Sequence, residues 1–296
     1  MTVTDFHPEL QKAARWVPRA PISQRTLPIV RTLQKLQRPA APGVEVLTTS
    51  DGVDIRLHRP ADPTATGPAL LWIHGGGYVI GTAQQDDALC KRFAERLGIT
   101  VAAVDYRLAP EHPHPAGLQD CHNALTWLAG LPAVDPARVA IGGASAGGGL
   151  TAALAFKARD RAVVTPVVQL LVYPMLDDRS SERTELDSVE YRLWDRTANR
   201  WGWASYLGGA DPAVAVPARR TDLAGLAPAW IGVGSNDLFH DEDLAYAQAL
   251  TAAGVPCDVE VVPGAFHGFD GVVPKAGVSR AFFDSQCSVL KNAFAD

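Results

Sequence analysis

The chain has 296 residues, of which 47% are hydrophobic and 20% charged, a composition typical of a globular protein with a substantial buried core. Its formal net charge of −5 and the lack of a Lys/Arg cluster argue against a nucleic-acid or anionic-membrane surface, so a small-molecule ligand is expected. No run approaches the ~18 apolar residues of a membrane span, and the N-terminus lacks a secretory pattern, so we expect a cytoplasmic protein without a membrane span.

The first part of the chain differs in pattern from the rest. Residues 1–42 mix helical periodicity with prolines and end in "RPAAPG", which predicts an N-terminal cap segment separate from the main domain. The stretch "VEVLTTSDGVDIRLHRP" then places Asp51 and Gly52 between two strand-like runs. An Asp-Gly pair in that position predicts a β-hairpin.

Strand and helix patterns alternate after the hairpin. Six apolar strand patterns follow in order, at "ALLWIHGG", "TVAAVDY", "RVAIGGAS", "VVQLLVYP", "PAWIGVGS" and "DVEVVPG". A helical pattern comes after all of them except the fourth: "DDALCKRFAERLG", "LQDCHNALTWLAG", "GGLTAALAFKARD", "DEDLAYAQALTAAG" and "VSRAFFDSQCSVLKNAF". Continuous Val/Ile/Leu strands between helices predict an α/β fold with a mostly parallel central sheet and helices on both faces.

The alternation is interrupted after the fourth strand by residues 177–222. This insertion is helix-like and carries bulky aromatic side chains at Trp194, Trp201, Trp203 and Tyr206, which favour packing on something apolar. It is therefore predicted to form a helical cap with the N-terminal segment, over an α/β domain made of residues 43–176 and 223–296. An inert surface excursion is the alternative interpretation.

The third strand-to-helix junction contains a possible nucleophile. In "RVAIGGASAGGGL" the strand ends at the glycines, Ser145 forms the corner, and the helix begins directly after it. This is a G-x-S-x-G elbow, in which the glycines let strand and helix pass closely around a serine held in a strained conformation. The N-terminus of the helix favours an anion beside the hydroxyl, with the Ala146 N–H as one donor.

A serine nucleophile needs a base, and the base needs an orienting acid. His267 follows the last predicted strand and Asp237 follows the strand before it, both at the sheet edge where Ser145 is expected. Either residue alone is more often a solvated loop histidine or a helix-capping aspartate. Three such residues at correct strand ends, in the order Ser, Asp, His, predict a catalytic triad.

The glycines after the first apolar strand, in "WIHGGGYVIG", would expose backbone N–H groups that suit an oxyanion hole. We expect Gly76 and Gly77 to act as donors with Ala146, and Gly75 is a further candidate. His74 is expected to orient this loop rather than to act as a base.

The "DYRLAPEHPHPA" stretch allows several interpretations. Asp105, Arg107 and Glu111 could bind an anionic substrate, but pairing with one another to brace the serine loop is the favoured expectation. His112 and His114 form an H-x-H pair without a third ligand at suitable spacing, so no metal site is predicted.

"HGGGYVIG", "DYRLAPEHPHPA", "GASAGG" and "RWGWASYLGG" together resemble the hormone-sensitive-lipase-like (bacterial family IV) carboxylesterases of the α/β-hydrolase superfamily. The resemblance runs from about residue 40 to the C-terminus. It implies an α/β-hydrolase fold, a Ser145, Asp237 and His267 triad, an HGGG oxyanion hole, a helical cap, no cofactor, and hydrolysis of short- to medium-chain acyl esters. It also allows a homodimer formed through an edge strand. The elbow departs from the family's frequent GDSAGG at Ala144, and His114 stands where an aromatic residue is usual.

The resulting hypothesis is a serine carboxylesterase acting on small-molecule esters, with Tyr78, Trp194, Trp201 and Tyr206 as candidate substrate contacts. The same triad also serves amidases, lactonases and small-molecule deacetylases. The alternative to an enzyme is a non-catalytic small-molecule receptor on the same scaffold. Receptors of this family have lost the catalytic histidine, whereas this chain keeps His267.

Overall fold

One eight-stranded sheet forms the centre of the molecule. The computed structural model describes residues 5–18, 26–35, 43–60, 66–188 and 191–295. The strands are β1 Val44–Thr48, β2 Asp54–His58, β3 Gly67–Ile73, β4 Thr100–Asp105, β5 Val134–Ala144, β6 Gln169–Val172, β7 Ala229–Gly234 and β8 Cys257–Val262. They lie in the order β1-β2-β4-β3-β5-β6-β7-β8.

The strand directions confirm the predicted sheet. β1 and β2 form the antiparallel hairpin around Asp51 and Gly52, and β2 pairs antiparallel with β4. Every other neighbouring pair is parallel. Because β5, β7 and β8 run in the same direction, their carboxyl ends lie at one edge of the sheet.

Helices cover both faces of the sheet, as the alternating patterns predict. The helices are α1 Gln11–Ala14, α2 Leu27–Lys35, α3 Asp87–Leu97, α4 Ala116–Ala129, α5 Ala146–Arg161, α6 Arg196–Leu207, α7 Pro212–Ala215, α8 His240–Ala252, α9 Phe269–Val272 and α10 Gly277–Ala293. Side chains of β3 alternate between two hydrophobic clusters: Leu71 packs with α4, α5 and α8, whereas Leu70 and Trp72 pack with α3 and α10. This alternation follows from the two-residue period of a strand. No helix among the described residues is both long and apolar enough to cross a membrane.

The N-terminal segment and the insertion contact each other at the edge where the strands end. Leu193 N donates to Pro18 O at 2.9 Å, and Arg192 Nε donates to Ala14 O at 2.6 Å. His7 N donates to Gly264 O at 2.8 Å, in the loop after β8. Of the predicted cap segment, residues 1–4, 19–25 and 36–42 lie outside the described part of the chain, as do residues 189–190 of the insertion.

The charged residues around the loop after β4 pair differently from the expectation. Arg107 forms a bidentate pair with Asp120 of α4, and Glu111 pairs with Arg31 of α2 at 2.7 Å. Asp105 accepts a hydrogen bond from Ala83 N at 3.1 Å. The prediction that Asp105, Arg107 and Glu111 pair with one another is therefore wrong, because two of them find partners on other elements. The pairs of Arg107 and Glu111 join the loop after β4 to α4 and α2.

Candidate active site

Ser145 is held in a strained backbone conformation at the junction of β5 and α5. Its φ of 57° lies in the left-handed region that residues with a side chain rarely adopt. Ser145 N donates to Val172 O at 2.9 Å, and Ser145 O accepts from Met175 N at 3.0 Å. Bonds to the end of the neighbouring β6 strand and to the loop after it thus hold the corner in place, with the serine at the N-cap position of α5.

The glycines around Ser145 are required by close backbone approach. A Cβ at Gly143 would lie 2.5 Å from Gly147 O, and a Cβ at Gly147 would overlap Ile73 O of β3. The sequence predicted this steric reason for the glycines. A side chain at either position would push the strand and the helix apart and move the serine.

The structure brings Ser145, His267 and Asp237 together in one hydrogen-bonded chain. His267 Nε2 lies 2.9 Å from Ser145 Oγ, and His267 Nδ1 lies 2.8 Å from Asp237 Oδ2. All three side chains are buried. With the ring proton on Nδ1, His267 donates to Asp237 Oδ2, and its Nε2 can accept from the serine hydroxyl.

Aromatic rings and loop contacts hold the imidazole of His267. The Tyr173 ring approaches it edge-on at 4.9 Å between centroids, and the Phe239 ring does so at 5.1 Å. The loops after β7 and β8 are joined by a bond from Gly264 N to Ser235 Oγ at 2.8 Å. These contacts leave the imidazole little freedom to rotate away from Ser145.

The glycine loop after β3 presents unpaired backbone donors. Gly76 has a φ of 130° and Gly77 a φ of 59°, conformations that favour glycine. Within the described ranges, no group accepts the N–H of Gly76, Gly77 or Ala146. Gly75 also lines the cavity in front of Ser145, whereas Ala146 is buried and is not among its lining residues. This arrangement can bind an oxygen that becomes negatively charged.

His74 lies beneath the glycine loop. Its ring stacks on Tyr106 at 4.3 Å, and its Nδ1 bonds to Gly75 O at 2.8 Å. Burial lowers the pKa of His74, so the neutral ring is favoured. These contacts agree with the expected role of His74 in orienting the loop.

A cavity of about 290 Å³ opens in front of Ser145. Its lining residues come from the glycine loop, the turn before α3, the elbow, the end of β6, the insertion and the segment after β8: Gly75, Gly76, Gly77, Ile80, Gln85, Asp86, Ala144, Ser145, Tyr173, Leu193, Trp194, His267, Gly268 and Gly271. No group of three or more His, Cys, Asp or Glu side chains is arranged for a metal ion in the part of the chain that the structure describes.

Of the four aromatic residues expected to contact substrate, Trp194 lines the cavity. Tyr78 is buried, donates to Met175 O at 3.1 Å and stacks on Tyr206 at 4.1 Å between ring centroids. Trp201 is partly buried against the larger hydrophobic cluster. Tyr78, Trp201 and Tyr206 are not among the residues that line the cavity, and the rings of Tyr78 in the glycine loop and Tyr206 in α6 pack on each other instead.

Among the polar residues of the cavity, Gln85, Asp86 and Tyr173 were not singled out from the sequence. Tyr173 follows β6 at the same edge as Ser145, Asp237 and His267, so the strand-end rule could have found it. Asp86 is the first residue of the helical pattern "DDALCKRFAERLG", and an aspartate at the start of a helix is ordinarily a capping residue. Its position on the cavity wall depends on tertiary packing and left no sequence signal.

We expect Gly77→Ala to lower both stability and esterase activity. The left-handed φ costs an alanine about 1–2 kcal/mol, and its Cβ would overlap the Trp194 ring. A shift of the glycine loop that relieves this overlap moves a predicted oxyanion donor, so kcat/KM for a short ester should fall by about 10- to 100-fold. Thermal melting and ester kinetics measure the two effects.

Gly98→Ala is the matched control for this substitution. Gly98 has a φ of 66°, and nothing lies within 4 Å of the position that an alanine Cβ would occupy there. It should therefore lose only the stability that the left-handed backbone costs an alanine, and keep its activity. Combining Gly77→Ala with Trp194→Phe should cost less than the sum of the two single variants, because the smaller ring makes room. Strict additivity would show that the Trp194 contact is not the cause.

The chain was compared with known proteins. Residues 70–271 match a family described as alpha/beta hydrolase fold. Carboxylic ester hydrolase LipN of Mycobacterium tuberculosis is 38% identical over 253 residues, which are 81% of this chain and 66% of LipN. Ethyl acetate hydrolase of Pseudomonas putida is 36% identical over 236 residues, 75% of this chain and 74% of the relative.

A solved structure agrees over the whole chain. The crystal structure of esterase LipW from Mycobacterium marinum is 35% identical and superimposes with a TM-score of 0.88, covering 100% of this chain and 98% of LipW. The sheet order, the elbow and these similarities lead to one conclusion. The chain belongs to the alpha/beta hydrolase fold family, as an ester-hydrolysing enzyme related to the hormone-sensitive-lipase-like carboxylesterases.

Proposed function

We propose that the chain is a serine carboxylesterase that hydrolyses short- to medium-chain acyl esters through a Ser145, His267 and Asp237 triad. The observation that carries this proposal is the continuous hydrogen-bonded chain from Asp237 Oδ2 through His267 to Ser145 Oγ. It ends at a cavity lined by the glycine loop. A buried aspartate, histidine and serine in this geometry activate a hydroxyl for attack on a carbonyl.

In the first step, Ser145 Oγ attacks the ester carbonyl while its proton moves to His267 Nε2. Asp237 stabilises the imidazolium that forms, since its carboxylate lies 2.8 Å from Nδ1. The intermediate collapses when the C–O bond to the alcohol breaks and the proton passes from His267 to the leaving alkoxide. The products of this step are an acyl-enzyme on Ser145 and a free alcohol.

The negative charge of the tetrahedral intermediate needs donors that are already in place. We assign the N–H groups of Gly76, Gly77 and Ala146 to this role, with Gly75 as a further candidate. Two observations support this assignment. Within the described residues, no group accepts the N–H of Gly76, Gly77 or Ala146, and Ala146 lies at the start of α5. Donors that need no reorganisation supply a large part of the rate enhancement in such sites.

In the second step, water replaces the alcohol. His267 takes a proton from the water as its oxygen attacks the acyl carbonyl, and the C–O bond to Ser145 breaks. The proton returns from His267 to Ser145 Oγ, and a carboxylic acid leaves. Together the two steps convert one ester and one water into an alcohol and a carboxylic acid, and neither step needs a cofactor.

The cavity and its cover bear on the choice of substrate. We propose that the insertion 177–222 and the N-terminal segment act as a cap, since Leu193 and Trp194 line the cavity and Leu193 N bonds to Pro18 O. A volume of about 290 Å³ lies at the lower end of the roughly 300–1,000 Å³ found for ligand sites, which favours a short acyl group. The ethyl acetate hydrolase relative is consistent with such substrates.

A series of p-nitrophenyl esters from acetate to palmitate tests this proposal. We expect the highest kcat/KM between acetate and hexanoate, and at least a ~100-fold lower value for palmitate, because the wall around Trp194 excludes long chains. Amides and lactones of the preferred acyl group serve as the comparison panel. A flat profile, a maximum at palmitate, or a preference for the amides or lactones would contradict the proposed specificity.

A further inference from the structure

Asp86 is a cavity residue whose position is not explained by helix capping. It occupies the N-cap position of α3, yet its side chain makes no capping hydrogen bond. Instead, Asp86 Oδ2 accepts from Trp72 Nε1 at 2.8 Å. Asp86 Oδ1 has no hydrogen-bond partner among the described residues, and Asp86 lines the cavity in front of Ser145. One carboxylate oxygen is thus fixed by Trp72 while the other remains available to a ligand.

The surroundings of Asp86 are acidic. Asp270 lies close enough to act on its charge and itself accepts a hydrogen bond from Tyr173 Oη at 2.7 Å. No lysine or arginine is among the residues that line the cavity. Burial, reinforced by Asp270 and Asp87, raises the pKa of Asp86 to about 6, so the carboxylate is mostly ionised near neutral pH and lacks a counter-charge.

An unneutralised carboxylate is unfavourable in the cavity of the proposed esterase. The transition state develops negative charge near Gly76 and Gly77, which line the same cavity as Asp86. Two negative charges that face the same cavity repel each other, so the ionised Asp86 disfavours the transition state of a neutral substrate. A cation carried by the substrate would remove this penalty and fill the free position at Oδ1.

We propose that Asp86 is a specificity-determining residue that selects esters carrying a protonated amine, with the ammonium N–H donating to Asp86 Oδ1. The proposal rests on the proposed function, because the ester must be attacked by Ser145. The aromatic rings of Trp194 and Tyr173 line the same cavity and suit the alkyl groups and charge of an ammonium ion.

A purely structural role for Asp86 is the competing explanation. In that role its carboxylate only fixes the indole of Trp72, which is buried. Asp86→Asn separates the two roles, because the amide oxygen still accepts from Trp72 Nε1 while the negative charge is lost. Only a charge-based role predicts that the variant changes the preference between an amine and its neutral isostere.

Two pairs of esters with matched shapes provide the test. For an amine on the alcohol side, 2-(dimethylamino)ethyl acetate is compared with 3-methylbutyl acetate. For an amine on the acyl side, ethyl 4-(dimethylamino)butanoate is compared with ethyl 5-methylhexanoate. We expect the wild-type chain to prefer the amine in at least one pair, and Asp86→Asn to lower that ratio of kcat/KM values by about 10- to 100-fold, as for one charge-assisted hydrogen bond.

Glu95→Gln is the matched control, since it removes one negative charge from an exposed position on α3 outside the cavity. It should leave the ratio unchanged. Equal wild-type activity on both members of both pairs, or an unchanged ratio in Asp86→Asn, would overturn the specificity proposal and leave the esterase proposal standing. Failure of the wild-type chain to hydrolyse any of these esters or the p-nitrophenyl series would instead overturn the esterase proposal, and the specificity proposal with it.

The preference should also depend on pH. As the pH falls through about 6, Asp86 gains a proton and loses its attraction for the ammonium, so the ratio should decline towards that of Asp86→Asn. The other titratable groups that surround it are Asp87, Cys90, Tyr106, Tyr173, His267 and Asp270. A change in the rate of the serine attack affects both esters of a pair equally, so it cancels in the ratio. A ratio that is constant from pH 5 to pH 8 would contradict the role of Asp86.

Discussion

Ser145→Ala should reduce the turnover of a short p-nitrophenyl ester by about 10⁵- to 10⁶-fold, the loss found when a serine nucleophile is removed from such a triad. The hydroxyl is the only group that the substitution removes, and its hydrogen-bond partner is His267. The left-handed backbone at position 145 is as strained for alanine as for serine, and no larger side chain is added. We therefore expect a melting temperature close to that of the wild-type chain.

Covalent labelling tests the same assignment independently of substrate choice. An organophosphate should attach once per chain, at Ser145, and should not attach to Ser145→Ala. Ser288→Ala is the control, because Ser288 is exposed on α10 and its hydroxyl bonds within the helix to Asp284 O. Near-normal turnover of Ser145→Ala, or tight binding of a small molecule without any labelling of the wild-type chain, would favour a different nucleophile or a receptor.

The position of the candidate site follows from the sequence because it depends on strand ends. Parallel strands align their carboxyl ends, so residues directly after β5, β7 and β8 had to lie at one edge. Ser145, Asp237 and His267 each lie within a few residues of such an end. The elbow glycines added a steric argument of their own, since they leave no space for a Cβ between β5, α5 and β3.

Side-chain partners in the loops could not be predicted in this way. Arg107 pairs with Asp120, which is 13 positions away on α4, and Arg31 reaches Glu111 over 80 positions. Neither hydrophobic periodicity nor turn signals describe how helices pack beside a loop. For the same reason, Tyr78 was expected at the substrate cavity but its ring is stacked on Tyr206 behind it.

Specificity is the property that the sequence describes least, and the structure gives a physical reason. The reaction needs a few groups fixed at strand ends, whereas the cavity wall combines the glycine loop, the turn before α3 and the insertion. A substitution of Asp86 or Trp194 changes the charge or shape that the substrate meets and removes none of Ser145, His267 and Asp237. Asp86 and Trp194 are therefore the positions at which we expect substrate choice to be altered most easily.

Asp237→Asn should lower kcat near neutral pH by about 10⁴-fold, through the tautomer of His267 rather than through its position. The reason lies in the second oxygen of Asp237, which accepts from Phe239 N at 3.0 Å. In the variant the amide oxygen keeps this bond, so the NH₂ group faces His267 Nδ1. The ring must then accept at Nδ1 and carry its proton on Nε2, where it cannot take a proton from Ser145. The opposite amide orientation would set two donors, the NH₂ group and Phe239 N–H, against each other.

Asp241→Asn is the control for this variant, because Asp241 is exposed and contacts Arg183 and His240 instead of His267. It should keep its activity within about 2-fold. Nitrogen NMR of the His267 ring provides a second measurement, since the wild type should carry its proton on Nδ1 and Asp237→Asn on Nε2. If Asp237→Asn stayed within about 10-fold of the wild type, or if its tautomer were unchanged, another group would have to orient His267. A loss of activity accompanied by the tautomer exchange, in a chain that melts at the wild-type temperature, would identify the Phe239 N–H as the contact that makes the carboxylate necessary.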